Sequence, residues 1–323
     1  MRLFKMASQE LKQHATFQPP RVPQSQAKPG LENNMQPASE PTQLEADGFV
    51  EYVGNNKLKD KNVLITGESE YSFLAVARRP LLNKDDNLSS SGIGRAVAVL
   101  MAREGADVTI AHLPEEQEDA EDTKKMVEAE NRSCFLFAGD LTNYENCRQV
   151  VDEHFRSYGS LNILVNNASQ QFMCKTFTDI DLNNVEHVFR SNVLQMFAMT
   201  KYALTYMKET RKIINTTSVV TFRGSPSMVD YAATKAAIVG FTRSLATQLI
   251  PKGIRVNAVA PGAIYTPIQP DTRTAKQMEG WHANSPLGRP GQPSEVAPTF
   301  VFLASPEASL YYGQTLHCYP IGD

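Results

Sequence analysis

The chain has 323 residues, of which 32 are Lys or Arg and 35 are Asp or Glu, so its formal net charge at pH 7 is −3. This balance provides no basic excess for neutralising phosphates and argues against a dedicated nucleic-acid partner. Hydrophobic residues make up 41% of the sequence, but no apolar run approaches the roughly 20 residues that cross a bilayer, so no membrane partner is predicted. The length indicates one sizeable domain with an appendage, and the expected ligand is a small molecule.

Residues 1–58 are predicted to form an extended arm. The segment holds six prolines between Pro19 and Pro41, many polar residues and hardly any apolar periodicity. Such a composition buries too little surface to offset the entropy of ordering, so the arm is either disordered or laid over a folded neighbour, and we expect partial disorder. The first residues carry positive charge but no apolar core of signal-peptide length, so no targeting segment is predicted.

From Lys61 onward, short β-branched runs alternate with amphipathic stretches of about 12 to 18 residues, as expected for parallel strands with crossover helices. Seven strands are predicted, at Asn62–Thr66, Asp107–Ala111, Cys134–Ala138, Ile163–Asn166, Lys212–Thr217, Arg255–Ala260 and Gln314–Cys318. The predicted fold class is therefore α/β, with a doubly wound parallel seven-stranded sheet in one domain over residues 59–323. The ligand crevice of such a sheet lies outside the carboxyl ends of its strands.

Glycines follow the first predicted strand and open the next helix. Thr66-Gly67 ends the strand, and Gly92-Ile93-Gly94 begins the helix. Glycines at these places permit a tight turn and let a pyrophosphate reach the backbone amides at the helix N-terminus. A glycine-rich turn without a ligand would look the same, so this motif alone is weak. Polar residues also follow three further strands, at Asp140-Leu141, Asn166-Asn167 and Ser218.

Tyr231 and Lys235 lie four positions apart near the start of a predicted long helix, so they share one helix face. An ammonium group near a phenol favours the phenolate and lowers the tyrosine pKa from about 10 toward the working range. The tyrosine could then act as a general acid or base. A Tyr–Lys pair is more often a surface contact, so its meaning depends on the other motifs.

The order and spacing of these motifs resemble the short-chain dehydrogenase/reductase family, classical type. The resemblance covers about residues 59–323 and rests on Asn192, Ser218, Tyr231, Lys235, the glycines, Asn166-Asn167-Ala168 and Pro261-Gly262. It implies a Rossmann fold and an oxidoreductase that transfers hydride between NAD(P)(H) and an alcohol/carbonyl pair, such as a sugar, polyol, aldehyde or ketone. The arm segment Pro29–Pro37, the stretch Tyr52–Leu58 and Leu113–Glu116 resemble the glucose/ribitol-dehydrogenase-like group.

The resemblance also implies a role for each catalytic candidate. Tyr231 would exchange a proton with the substrate oxygen, and Lys235 would bind the nicotinamide ribose and depress the tyrosine pKa. Ser218 would orient the substrate carbonyl, and Asn192 would hold a water in the proton relay. The stretch Tyr265–Pro286 would form the substrate lid.

The cofactor contacts implied by the resemblance lie along the same crevice. Asp140 corresponds to the adenine contact and Asn167 to a ribose-side contact, and Ile264 and Thr266 would meet the nicotinamide carboxamide. The remaining candidates for binding the cofactor are Gly67, Gly92, Ile93, Gly94, His112, Leu141, Tyr231, Lys235, Pro261 and Gly262.

Two departures from the family pattern stand out. The family has three residues between the first glycine and Gly-Ile-Gly, whereas positions 68–91 intervene here. This insert is either a surface loop or translated non-coding sequence left in a gene model, and we favour the second because its removal restores a family-like turn. If the insert is real, an alternative function is a catalytically impaired nucleotide-binding sensor or scaffold. Ser169 also stands where the family usually has glycine.

The end of the second predicted strand decides between the two nicotinamide cofactors. An acidic residue there accepts the ribose 2′-hydroxyl, and a basic residue accommodates a 2′-phosphate. The sequence reads Ala111-His112-Leu113-Pro114, with neither Asp nor Arg. Because no carboxylate at the strand end would repel a phosphate, NADP(H) is slightly favoured, while NAD(H) remains possible with Glu115 and Glu116 nearby.

The remaining polar residues indicate no further site. The histidines form no metal-binding pattern, so no metal is predicted, and His154, His187 and His282 are expected to be solvated helix residues. Trp281 could contact substrate or anchor the lid. The four cysteines lack disulfide-type spacing, which favours a reducing compartment, and we expect a cytoplasmic protein. The family implies a homodimer or homotetramer formed through the helices that carry Asn192 and Tyr231.

Overall fold

The computed structural model describes residues 17–46, 48–67 and 92–320 of the chain. The predicted insert at 68–91 lies outside these residues. A central sheet consists of seven parallel strands, which are β3 (Asn62–Thr66), β4 (Asp107–His112), β5 (Cys134–Ala138), β6 (Ile163–Asn166), β7 (Lys212–Thr216), β8 (Arg255–Pro261) and β9 (Thr315–Cys318). Their order in the sheet is β5-β4-β3-β6-β7-β8-β9.

This sheet confirms the predicted α/β doubly wound fold. Three strands coincide with the predicted bounds, and each of the other four differs by one residue at one end. The strand order reverses beside β3, which lies between β4 and β6. In doubly wound sheets the ligand crevice opens at such a reversal, so the carboxyl ends of β3 and β6 mark the place to look for a site.

Helices cover both faces of the sheet. They are α1 (Gly92–Arg103), α2 (Gln117–Ala129), α3 (Tyr144–Tyr158), α4 (Leu182–Phe189), α5 (Gln195–Tyr206), α6 (Val220–Arg223), α7 (Val229–Leu249), α8 (Ile268–Thr272), α9 (Ala275–Met278) and α10 (Pro293–Ala304). Successive strand residues point to opposite faces. In β3, Val63 and Ile65 therefore pack with α1 and α10, whereas Leu64 packs with α3 and α5.

The described part of the arm lies against the domain. A short antiparallel hairpin pairs β1 (Gln43–Ala46) with β2 (Gly48–Glu51). Before the hairpin, backbone hydrogen bonds run from Gly280 N to Pro20 O (2.8 Å) and from Ser294 N to Glu40 O (3.0 Å). The buried Met35 belongs to a cluster with Tyr265, Met278 and Trp281. The arm therefore contacts the segment after β8, and Trp281 packs inward beside it.

His154 differs from its predicted solvated position. It is fully buried within α3, and its imidazole lies 2.7 Å from the Thr109 hydroxyl and 3.1 Å from the Ser160 carbonyl oxygen. The carbonyl can only accept, so Nε2–H donates to it and Nδ1 accepts from Thr109. Burial lowers the pKa of His154 to about 4. The prediction was wrong because helix periodicity did not reveal the polar partners that make burial of this ring tolerable.

Candidate active site

The ends of β3, β6 and β7 are joined by side-chain hydrogen bonds. Thr66 Oγ1 accepts from the backbone N–H groups of Asn167 (3.1 Å) and Ala168 (3.2 Å). Asn167 Nδ2 donates to Gly67 O (2.8 Å), and Thr216 Oγ1 donates to Asn167 Oδ1 (3.1 Å). Asn167 is thus fixed where the sheet reverses, at the predicted crevice.

Gly67 supplies the close approach that this crevice requires. Its φ is +73°, and a Cβ built on it would lie 2.4 Å from Ala168 Cα. Any other residue would therefore be strained and would collide with the strand neighbour. Gly92 begins α1 with a φ of +50°, followed by Ile93 and the buried Gly94. The predicted glycine turn also includes residues 68–91, which lie outside the described part of the chain.

Tyr231 and Lys235 occupy one turn of α7, as their spacing predicted. The Lys235 ammonium nitrogen lies 5.4 Å from the centroid of the Tyr231 ring. Both residues are almost completely buried, since Lys235 is 1% exposed and Tyr231 is 9% exposed. Lys235 Nζ donates to the backbone carbonyl of Thr216 at 3.0 Å. The end of β7 thus holds the Lys235 ammonium beside the Tyr231 ring.

Ser218 follows β7 on the loop that Tyr231 contacts. The serine is buried, and its Oγ accepts from Val220 N at 3.4 Å. Tyr231 belongs to the same buried cluster as Val219 and Val220. Val219 N also donates to Pro261 O at 2.9 Å, which places the predicted Pro261-Gly262 segment beside this loop. Tyr231 therefore packs against the segment that carries Ser218.

Asn192 connects the loop after β6 to α7. It lies in a π-helical turn at Arg190–Leu194, a widened geometry that occurs often at functional sites. Its Oδ1 accepts from Gln170 N (2.7 Å), and its Nδ2 donates to Gln170 O (2.9 Å) and to Thr234 Oγ1 (3.1 Å). Both ends of the amide are bonded to protein, so the side chain positions α7, and its predicted role in holding water stays a prediction.

His112 presents an unsatisfied polar atom at the end of β4. The ring is buried, and Nδ1 donates to Leu113 O at 2.8 Å because a carbonyl can only accept. Nε2 is buried and has no hydrogen-bond partner within the described residues. Burial lowers the pKa of His112, so the neutral ring offers Nε2 as an acceptor. In dinucleotide-binding doubly wound folds, the residue that recognises the ribose 2′ group lies near the end of this strand.

The other predicted cofactor residues line the same edge. The Asp140 carboxylate accepts from Thr142 N (2.8 Å) and Thr142 Oγ1 (2.7 Å), which fixes its orientation. Leu141 is fully buried behind it. Beyond β8, Ile264 and Thr266 are buried and lead directly into α8. The predicted residues thus lie at the carboxyl ends of β3, β4, β5, β6, β7 and β8.

Sequence reasoning missed three positioning residues. Thr66, Thr216 and Thr234 hold Asn167, Lys235 and Asn192 in place through the hydrogen bonds given above. The available signal was their location, since each is adjacent to or within four residues of a predicted site residue. Within residues 17–46, 48–67 and 92–320, no group of three His, Cys, Asp or Glu side chains could hold a metal ion.

Comparison with known proteins identifies the family. The sequence profile of a family described as enoyl-(acyl carrier protein) reductase matches residues 88–318. An NADPH-dependent aldehyde reductase 1 from Arabidopsis thaliana is 40% identical over 318 residues, with 97% of each chain covered. The chain belongs to the short-chain dehydrogenase/reductase family. Glucose and ribitol dehydrogenase from Daucus carota is 38% identical over 304 residues and covers 93% of this chain and 94% of its own.

Solved structures of short-chain dehydrogenases have the same fold. A short chain dehydrogenase from Burkholderia cenocepacia in complex with NADP superposes with a TM-score of 0.69 at 28% identity, covering 81% of this chain and 97% of that chain. The protein is therefore a classical short-chain dehydrogenase/reductase, similar to glucose/ribitol dehydrogenases, and an oxidoreductase by family. No helix in the described part of the chain has the length and apolar character needed to cross a membrane.

Proposed function

We propose that the protein is an NADP(H)-dependent oxidoreductase that interconverts an alcohol and its carbonyl counterpart, with a sugar, polyol, aldehyde or ketone as substrate. The observation that carries this proposal is the buried Lys235 ammonium beside the Tyr231 ring, held by the Thr216 carbonyl at the end of β7. The aldehyde reductase and the glucose and ribitol dehydrogenase among the relatives support carbonyl and alcohol chemistry.

Each of the proposed site residues has a separate role in the reaction. A bound nicotinamide supplies or accepts the hydride. Tyr231 donates its phenolic proton to the substrate oxygen during reduction and takes it back during oxidation. Lys235 stabilises the phenolate, and Ser218 donates a hydrogen bond that orients the carbonyl. Asn192 fixes α7 relative to the loop after β6 through Thr234 and Gln170.

The residues present fit a nicotinamide dinucleotide. Gly67 leaves no Cβ at the crevice floor, and the buried His112 Nε2 lacks a partner within the described chain at the position that reads the ribose. The strand end carries no carboxylate that would repel a 2′-phosphate, and both the Arabidopsis relative and the Burkholderia structure are named for NADP(H). NAD(H) remains the alternative cofactor because the neutral His112 can accept from a 2′-hydroxyl.

The assembly and compartment are further parts of the proposal. We propose that residues 59–323 form the catalytic domain and residues 1–58 its arm, and that two or four copies associate through α5 and α7. None of Cys134, Cys147, Cys174 and Cys318 is in a disulfide within the described part of the chain. Cysteines outside disulfides support a reducing compartment such as the cytoplasm.

Cofactor consumption tests the proposed activity. The full chain is mixed with NADPH, and separately with NADH, against a panel of aldehydes, ketones and sugars, and absorbance of the reduced cofactor is followed. We expect turnover of at least one carbonyl compound and faster turnover with NADPH. A protein that binds neither cofactor in a fluorescence titration and oxidises neither in the presence of any panel member would contradict the proposal.

A further inference from the structure

The arm reaches the predicted lid through a buried carboxylate. Asp271 lies in α8, and its side chain is completely buried. One carboxylate oxygen accepts from Lys28 Nζ at 3.0 Å, and the other accepts from Gly30 N at 3.1 Å. A buried carboxylate that loses its cation is strongly destabilised. The observed position of α8 therefore depends on the charge that the arm supplies.

Gly30 allows the arm to lie directly on the lid. A Cβ built on this glycine would be 2.2 Å from the Pro267 carbonyl oxygen, so no larger residue fits without displacing the backbone. Gln26 N also donates to Pro270 O at 2.9 Å. Two backbone contacts and one ion pair thus join arm residues 26–30 to lid residues 267–271.

Lys28 also bonds to the loop after β6. Its ammonium donates to Gln171 O at 3.0 Å and lies 4.9 Å from the centroid of the Phe172 ring. The preceding residue, Gln170, is the one whose backbone binds both ends of the Asn192 amide. One ammonium therefore connects the lid helix to the loop that Asn192 fixes against α7.

Lys28 and Asp271 line a cavity of about 650 Å³ between the arm, the lid and α4. Its other walls include Phe172, Asn184, His187 and Arg190. This volume is within the range of small-molecule sites, which are typically about 300–1,000 Å³. The cavity would lose its arm and lid walls together if the contact between Lys28 and Asp271 opened.

We propose that residues 26–30 of the arm complete the substrate site, and that Lys28 is a positioning residue which holds the α8 lid closed through Asp271 and Gln171. The proposal rests on the proposed oxidoreductase function. It explains why the chain carries Lys28 and Gly30 in an otherwise irregular segment. It also predicts that loss of the Lys28 charge weakens substrate binding more than the chemical step.

Two kinds of measurement on the full chain test this role. We expect Lys28→Met to raise KM for the carbonyl substrate at least about tenfold, with kcat reduced less than about threefold and NADPH affinity within about twofold of the wild type. Lys28→Arg keeps the cation and should bring KM back close to the wild-type value. Lys57→Met is the matched control, because Lys57 pairs with Glu307 at 3.2 Å on the surface, away from the lid.

The second measurement does not need enzyme activity. Arg273 lies two residues after Asp271 and is only partly exposed. Opening of the lid would expose it to trypsin, so Lys28→Met and Asp271→Asn should be cut after Arg273 faster than the wild type and Lys57→Met. A Lys28→Met, Asp271→Asn double variant should be less affected than the sum of the single variants, because it leaves no unpaired buried charge. Equal cleavage of the wild type and Lys28→Met in their folded states would overturn the proposal even if no substrate were found.

Discussion

Tyr231 and Lys235 have different roles in the proposed reaction, so substitutions of the two residues should have different effects on turnover and on cofactor affinity. Tyr231→Phe removes only the exchangeable proton, and we expect turnover to fall by at least about 100-fold with cofactor affinity changed only a few-fold. Lys235→Met should reduce both turnover and cofactor affinity, since one ammonium is proposed to contact the ribose and to stabilise the phenolate. Turnover and fluorescence titration separate the two outcomes. Unchanged turnover in Tyr231→Phe would eliminate this residue as the acid–base group.

His112 links cofactor choice to pH. Burial lowers the pKa of this histidine in the free protein, and a 2′-phosphate beside Nε2 would favour the protonated ring. Binding of NADP(H) should therefore take up a proton, and its affinity should rise by up to about tenfold as the pH falls from about 8 to 7. NAD(H) carries no 2′-phosphate and should lack this dependence. Equal pH dependence for the two cofactors, or persistence of the difference in His112→Gln, would contradict the assignment.

The buried His154 makes folding stability depend on pH. Its native pKa is about 4, below the value of about 6.5 expected in the unfolded chain, so acid favours unfolding. Its contribution to the free energy of unfolding is complete above about pH 6.5 and is lost as the pH falls toward 4, by up to about 1.4 kcal/mol per pH unit. Urea unfolding between pH 7.5 and 5 should show a shallower dependence for His154→Gln. An equal pH dependence of the free energy of unfolding in both proteins would show that His154 is not its cause.

Among the secondary-structure elements, the strands and α7 could be predicted from sequence because their signals are local. Val63, Leu64 and Ile65 form an apolar run of strand length, and the spacing of Tyr231 and Lys235 places them on one helix face. The π-helical turn around Asn192 could not be predicted, since Arg190–Leu194 reads as ordinary helix. The contact between Lys28 and Asp271 joins residues 243 positions apart, and only tertiary packing brings them together. The catalytic roles themselves stay predictions.

The insert between β3 and α1 can be tested by deletion. Pyrophosphate binding needs Gly67 and Gly92–Gly94 to approach within one turn, so a chain lacking residues 69–89 should bind the nicotinamide cofactor more tightly than the full chain. Fluorescence titration of both proteins gives the comparison. Equal affinities would mean that the segment leaves the turn undisturbed, and a natural peptide spanning Pro80 to Lys84 in mass spectra would defeat the gene-model explanation.

At the scale of the whole molecule, an exposed aromatic surface suggests how copies associate. Phe197 on α5 is 51% exposed, and its ring centroid lies 4.5 Å from that of Phe241 on α7. Leu194 and Tyr144 are also exposed and border a groove of about 380 Å³ beside Phe197. Contiguous apolar patches of this kind mark association sites, and a surface shared by two helices can pair with its own copy around a two-fold axis.

A charge placed on this surface should separate the copies. We expect the wild-type protein to scatter light as a dimer or tetramer at micromolar concentration, and Phe197→Glu to shift toward the 35.8 kDa monomer, because association would bury an unpaired carboxylate. Phe177→Glu is the matched control, since Phe177 is 66% exposed but lies outside α5 and α7. If the wild type is already a 35.8 kDa species, or if both variants dissociate equally, α5 and α7 do not form the interface.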